Sequence, residues 1–244
     1  SEQHLQFHLD VAGGRIRPTG EDPVPIDEYR PSEGNTVLHL FALRGDTSRL
    51  GLVAPFFQDE DENTNVDVKN DAGFTPLYIA AALGHFDMVQ FLVQQCSADS
   101  NIRRDLVNPR HLFKYLSFHK TSQGTPLHVA AEIGFLKICR CLLEHGADPT
   151  QVDRMGATPL YLACKNGHVE IARLFLVDYE ADPNQQTKEE KLAPLHIAIR
   201  TGKFRLVRLL LDHGAKVDLR NKDGDSPLLF VIQYAQAEVV SLIL

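Results

Sequence analysis

Six copies of one short pattern constrain what this chain can fold into more than any other feature. Thr125-Pro126-Leu127-His128-Val129-Ala130 recurs as Thr158-Pro159-Leu160-Tyr161-Leu162-Ala163, as Ala193-Pro194-Leu195-His196-Ile197-Ala198 and as Thr75-Pro76-Leu77-Tyr78-Ile79-Ala80. Looser copies are Thr36-Val37-Leu38-His39-Leu40-Phe41 and Ser226-Pro227-Leu228-Leu229-Phe230-Val231. The anchor leucines stand at 38, 77, 127, 160, 195 and 228, with spacings of 39, 50, 33, 35 and 33. A base period of about 33 residues with insertions accommodates all five. Such a period marks stacked supersecondary units, none of which can bury its apolar face alone.

Each element of the pattern has a physical role. The threonine hydroxyl caps amides that have no partner within the helix, and proline at the first helical position gives up no hydrogen bond. Leucine and the alanines after it predict a short helix with a small-residue face, open to close approach by its neighbour. Gly84, Gly134, Gly167 and Gly202 suit the left-handed residue that ends a helix. A second helix is predicted next, from apolar residues at helical spacing: Met88, Val89 and Leu92; Ile138, Leu142 and Leu143; Ile171, Leu174 and Phe175; Leu206, Val207 and Leu210. Segments such as His145-Gly146-Ala147-Asp148 close it, and Asp/Asn/Gly-rich turns such as Asn221-Lys222-Asp223-Gly224 lead to the next threonine.

On these motifs the chain resembles the ankyrin repeat family from about residue 33 onward. The resemblance implies an all-α repeat solenoid of helix-turn-helix units with β-hairpin fingers. It divides the chain into a non-repeat segment, 1–31, and a repeat domain of about six units, 32–244. Residues 1–31 carry Gly13-Gly14, Pro18, Pro23, Pro25 and Pro31 and read as extended. Two loops, Gln94–Ala98 and Val177–Ala181, lack the usual glycine and look one residue longer. Ala193 stands where a capping threonine is expected, and Ala235-Gln236 replaces Gly-His in a last repeat that is degenerate or truncated. The helix-like run reaching Leu244 reads as the interior of a longer protein. An aromatic-rich insertion, about 106–123, predicts a short helix that either covers the outer surface or presents Phe113, Tyr115 and Phe118 to a partner.

Composition removes several function classes. A formal net charge of −7 without a recurring basic patch is the wrong balance for phosphate-led nucleic-acid binding. No apolar run reaches the roughly 18–20 residues of a membrane span, and no basic-then-apolar leader opens the chain, so direct membrane insertion is not expected. Four cysteines make no disulfide framework in a chain this long and point to a reducing, cytoplasmic or nucleocytoplasmic setting. Of eleven histidines, His39, His128 and His196 share a motif position that Tyr78 and Tyr161 also fill, which points to hydrogen bonding and packing. Neither His-Glu-x-x-His nor Cys-x-x-Cys is present, and there is no Gly-x-Ser-x-Gly elbow or phosphate-cradling glycine loop. No catalytic residue, metal or cofactor is assigned.

What is left to carry function is the variable surface. In the resembling family, partners lie along the concave face made by fingers and first helices. Mapped position by position, that face presents Phe74, Leu83, Ile133, Met155 and Leu192 as apolar contacts, with Arg154, Lys165 and Arg200 as a positive strip. An apolar centre with a charged rim suits a protein partner. The expectation is a monomeric, non-catalytic protein–protein interaction module serving as scaffold, adaptor or targeting domain. The alternative is the regulatory or substrate-targeting part of a larger enzyme, of a membrane protein or of a secreted bacterial effector.

Overall fold

A computed structural model describes residues 34–45, 47, 65–104 and 123–233. Among them are ten α-helices and no strand. The chain divides into two compact units, 1–120 and 121–244, and each is taken by itself.

In the first unit, α1 (Val37–Arg44) packs on α2 (Pro76–Leu83), which packs on α3 (Phe86–Gln94). In the second, the first helices of successive repeats form one row: α4 (Pro126–Ile133), α6 (Pro159–Asn166), α8 (Pro194–Arg200) and α10 (Pro227–Gln233). Behind them lies a row of second helices: α5 (Leu136–Glu144), α7 (Val169–Arg173) and α9 (Phe204–Asp212). The core lies between the rows, where Leu142, Phe175 and Leu210 are fully buried. First-helix residues Ala80, Ala130, Ala163 and Ala198 are also fully buried, and their small size lets neighbouring helices approach. This is the all-α solenoid arrangement the repeats predict.

The helix signals work as their chemistry requires. Thr75 Oγ1 and Thr158 Oγ1 each accept the amide of the residue three on, Tyr78 or Tyr161, at 3.2 Å. Gly84, Gly134 and Gly167 end their helices at φ 79, 106 and 89, a left-handed conformation that costs a side-chain-bearing residue roughly 1 kcal/mol or more. Space enforces the same choice at Gly134. A Cβ there would lie 2.6 Å from Cε1 of His168, whose Nε2 bonds the Glu132 carbonyl at 3.0 Å.

The irregular spacings have local causes. Where the loop after the second helix keeps its glycine, the alanine amide bonds back five residues: Ala147 to Leu142 at 2.9 Å and Ala215 to Leu210 at 3.0 Å. The two glycine-less loops bond back six, Ala98 to Leu92 at 3.0 Å and Ala181 to Phe175 at 2.9 Å. Ser97 and Glu180 adopt positive φ, 53 and 48, in place of the missing glycines. After α7 the additional residue is taken up by a π-helical turn, Leu174–Asp178, a common way to seat an inserted residue inside a helix. The finger Thr187–Leu192 also spans one residue more than its neighbours, so two single additions account for the 35-residue spacing between Leu160 and Leu195.

Candidate interaction surface

The fingers are hydrogen-bonded turns rather than strand ladders among the described residues. Each starts at a buried polar residue whose side chain folds the turn. Asn70 Oδ1 accepts the Ala72 and Phe74 amides at 3.1 and 3.0 Å, and Asp153 Oδ1 accepts that of Ala157 at 2.8 Å. Asn221 Oδ1 accepts the amides of Asp223 and Asp225 at 2.9 and 2.8 Å, and Thr187 Oγ1 accepts that of Leu192 at 3.0 Å. These side chains fix the conformation of each finger.

The motif histidines tie each first helix to the finger that follows. His39 Nδ1 accepts the Thr36 amide at 3.0 Å, and its Nε2 reaches the Phe74 carbonyl at 2.9 Å. His128 does the same with Thr125 and Ala157, at 3.1 and 3.2 Å, and His196 with Ala193 and Asp225, at 3.2 and 3.3 Å. An acceptor at Nδ1 and a donor at Nε2 together require the neutral ring with its proton on Nε2. Burial agrees: it lowers His39 to about 4 and lowers His196 in the same direction. These rings are fasteners with both nitrogens engaged. At Ala193, which has no hydroxyl, the bond from its amide to the His196 ring is kept, as in the threonine repeats.

The remaining reactive types are equally occupied. His145 and His213 bond carbonyls four residues back, Cys141 and Leu209, at 2.7 and 2.8 Å. All four cysteines are buried and free. Burial pushes Cys96 and Cys139 up to about 12 and Cys164 higher still, so these thiols stay protonated and poor nucleophiles. Among the described residues no three His, Cys, Asp or Glu side chains gather as a metal site would need, and no helix is long and apolar enough to cross a membrane.

The surface residues expected from sequence separate into three groups. Phe74 and Leu192 are each only 3% exposed and leave the contact list. Both precede a helix N-cap, the place Ala157 occupies in its own finger, where the side chain turns inward as the finger closes. The Phe74 ring lies 5.2 Å from that of Tyr78, with the Arg104 guanidinium 4.2 Å above it. Leu83 and Ile133 are half-buried at the ends of α2 and α4. Met155 is 44% exposed, and Arg154, Lys165 and Arg200 are exposed around the fingers and first-helix ends of the second unit. Phe113, Tyr115 and Phe118 lie outside the described residues, as does segment 1–31.

Register in the second unit adds Lys188 to the residues expected from sequence. Arg154, Lys188 and Lys222 take the same place, directly after the residue that opens each finger. Lys165 and Arg200 hold equivalent places on α6 and α8. Backbone bonds join adjacent fingers, Lys188 N–H to the Met155 carbonyl at 2.8 Å and Lys222 N–H to that of Glu190 at 3.1 Å. The Lys222 ammonium also pairs with the Glu190 carboxylate. Glu189 and Asp223 are exposed acids on the same tips.

Comparison with known proteins agrees with the architecture. A family model describing ankyrin repeats matches in three copies, over residues 17–104, 107–187 and 175–244. Human B-cell lymphoma 3 protein is 30% identical over 169 residues, covering 67% of this chain and 34% of that protein. Human Rabankyrin-5 is 30% identical over 195 residues, 78% of this chain and 14% of its own length. The tyrosine-protein kinase HTK16 of Hydra vulgaris is 29% identical over 140 residues, 57% of this chain and 18% of the kinase. The chain therefore spans well under half the length of these relatives.

Proposed function

The chain belongs to the ankyrin repeat family, whose repeats generally mediate protein–protein interaction, and we propose that it is a non-catalytic module, monomeric in itself, that binds a protein partner on the finger and first-helix surface. One observation carries this reading. The motif residues with chemical potential, the histidines, threonines and finger Asx groups, are engaged in holding the scaffold. On the finger tips of the second unit, Met155 and the basic residues around it are exposed and hold no turn or cap. An exposed apolar group inside a charged rim is the composition of a specific protein contact. Four free, buried thiols fit a reducing cytoplasmic or nucleocytoplasmic setting.

The test is cross-linking capture from cell lysate with the wild-type chain and with Met155→Glu. A protein cross-linked to the fingers and lost on substitution supports the reading. Failure to capture any protein, together with turnover of a small molecule, overturns it.

The kinase relative favours a second reading, in which the module targets or regulates an enzyme that contains it. In that case a kinase or similar catalytic domain is found joined to this segment in the full-length protein, and removing the segment changes which substrates are processed rather than the rate on a generic one.

A further inference from the structure

Resting on the interaction reading above, we propose that the fingers and first-helix ends of the second unit bind an acidic, extended protein segment that seats one apolar side chain on Met155.

The local charge opposes that of the molecule. The chain carries a formal −7, yet the exposed charges outside the Glu190–Lys222 pair are Arg154, Lys165, Lys188, Lys191 and Arg200 against Glu189 and Asp223. None of those five cations makes an ion pair among the described residues. Basic groups left unneutralised on an acidic protein create a field of opposite sign at that surface, which selects and steers an anionic partner.

Register makes the cations a pattern rather than a scatter. Arg154 and Lys188 recur at one finger position, and Lys165 and Arg200 recur at one helix position. The Lys188 amide bonds to the Met155 carbonyl at 2.8 Å, which fixes the two tips side by side. The Lys188 stem lies over Gly156, where an added Cβ would fall 2.7 Å from its Cγ. Lys188 is thereby held beside Met155, the one apolar tip residue of the series. Packed helices stand about 8–10 Å apart, and an extended chain rises about 3.3 Å per residue. Carboxylates about three residues apart on a bound segment therefore meet successive repeats in turn.

The experiment uses fluorescence anisotropy with the full chain and two labelled peptides of about twelve residues, each with a central Leu. One carries Glu at every third position and the other Gln. The Glu peptide is expected to bind, to weaken about tenfold between about 50 and about 200 mM salt, and to outbind the Gln peptide about tenfold. Combined Arg154→Glu, Lys165→Glu and Arg200→Glu substitution removes that advantage, whereas Lys137→Glu with Arg208→Glu on the second helices leaves it intact. All these positions are exposed, so thermal midpoints are expected to stay unchanged and a lost contact is not confused with a lost fold.

Equal affinity for the two peptides, no binding of either, or equal loss in both variants overturns the proposal. Tighter binding of a single-stranded oligonucleotide than of the Glu peptide overturns it as well. A Met155-dependent partner captured from lysate that has no acidic stretch at its contact also overturns it, while leaving the interaction reading in place. Capture of no protein, together with turnover of a small molecule, fails that broader reading instead.

Discussion

Acidification is expected to unfasten the first unit through His39. This ring is fully buried, receives the Thr36 amide on Nδ1 and donates from Nε2 to the Phe74 carbonyl. A second proton has to go on Nδ1, where it would point at the Thr36 N–H, so the charged ring loses its cap as well as its solvation. Burial brings the folded value down from 6.5 to about 4, opposed only by the Phe74 carbonyl. Since the unfolded chain binds this proton more readily, stability rises with pH between those two values. The contribution is complete above about pH 6.5, falls as pH drops through 6, and is gone below about 4. At 1.36 kcal/mol per pKa unit this amounts to about 3 kcal/mol, most of it already lost at about pH 4.5. Two measurements check it: the NMR titration of the His39 ring, and urea unfolding from pH 7 to 4.5 of wild type and His39→Tyr. Tyrosine already serves at this motif position in α2 and α6. At pH 7 the variant is expected to be less stable by about 1 kcal/mol for the lost bond, and near pH 4.5 the order reverses. A ring midpoint near 6.5, or a stability difference that does not change with pH, refutes the reasoning.

Further outcomes follow from burial and backbone conformation. Gly134→Ala meets both a positive φ and the His168 ring, whereas Gly146→Ala meets a positive φ with nothing within 4 Å. Urea unfolding should therefore show about 1 kcal/mol lost at Gly146 and clearly more at Gly134. Leu142→Ala opens a cavity at a fully buried site between the helix rows and is expected to lower stability by about 2–5 kcal/mol; Met155→Ala should change it by less than about 0.5 kcal/mol. Replacing Glu180 by Gly, at φ 48, is expected to raise the thermal midpoint by relieving up to about 1 kcal/mol of left-handed strain. The Arg140–Asp178 pair, at 3.6 Å and about half exposed, should show less than about 1 kcal/mol of coupling in a double-mutant cycle.

The scaffold was legible because its signals are local and repeated. A threonine before a proline, a glycine eight or nine residues on and an apolar stripe after it each fix a cap, a stop or a buried face without reference to distant chain. The histidines show the same strength: their interchange with tyrosine within one sequence already pointed to hydrogen bonding and packing, and the structure supplies the bonds. The surface was less legible because exposure depends on what a neighbouring repeat covers. Phe74 and Leu192 were read singly, as apolar residues in turns that ask for nothing apolar. Compared by register with Ala157, they share the position before the N-cap whose backbone closes the finger: Phe74 and Ala157 give their carbonyls to a motif histidine, and Leu192 gives its own to the Thr187 amide. A side chain at that position turns inward whatever its size. The same comparison turns the other way at α10. Leu229 and Ile232 match positions buried in the other first helices, such as His196 and Ile199, yet they are 38% and 68% exposed. In a solenoid the sequence position specifies a direction, and what packs against that direction decides whether it is core or surface.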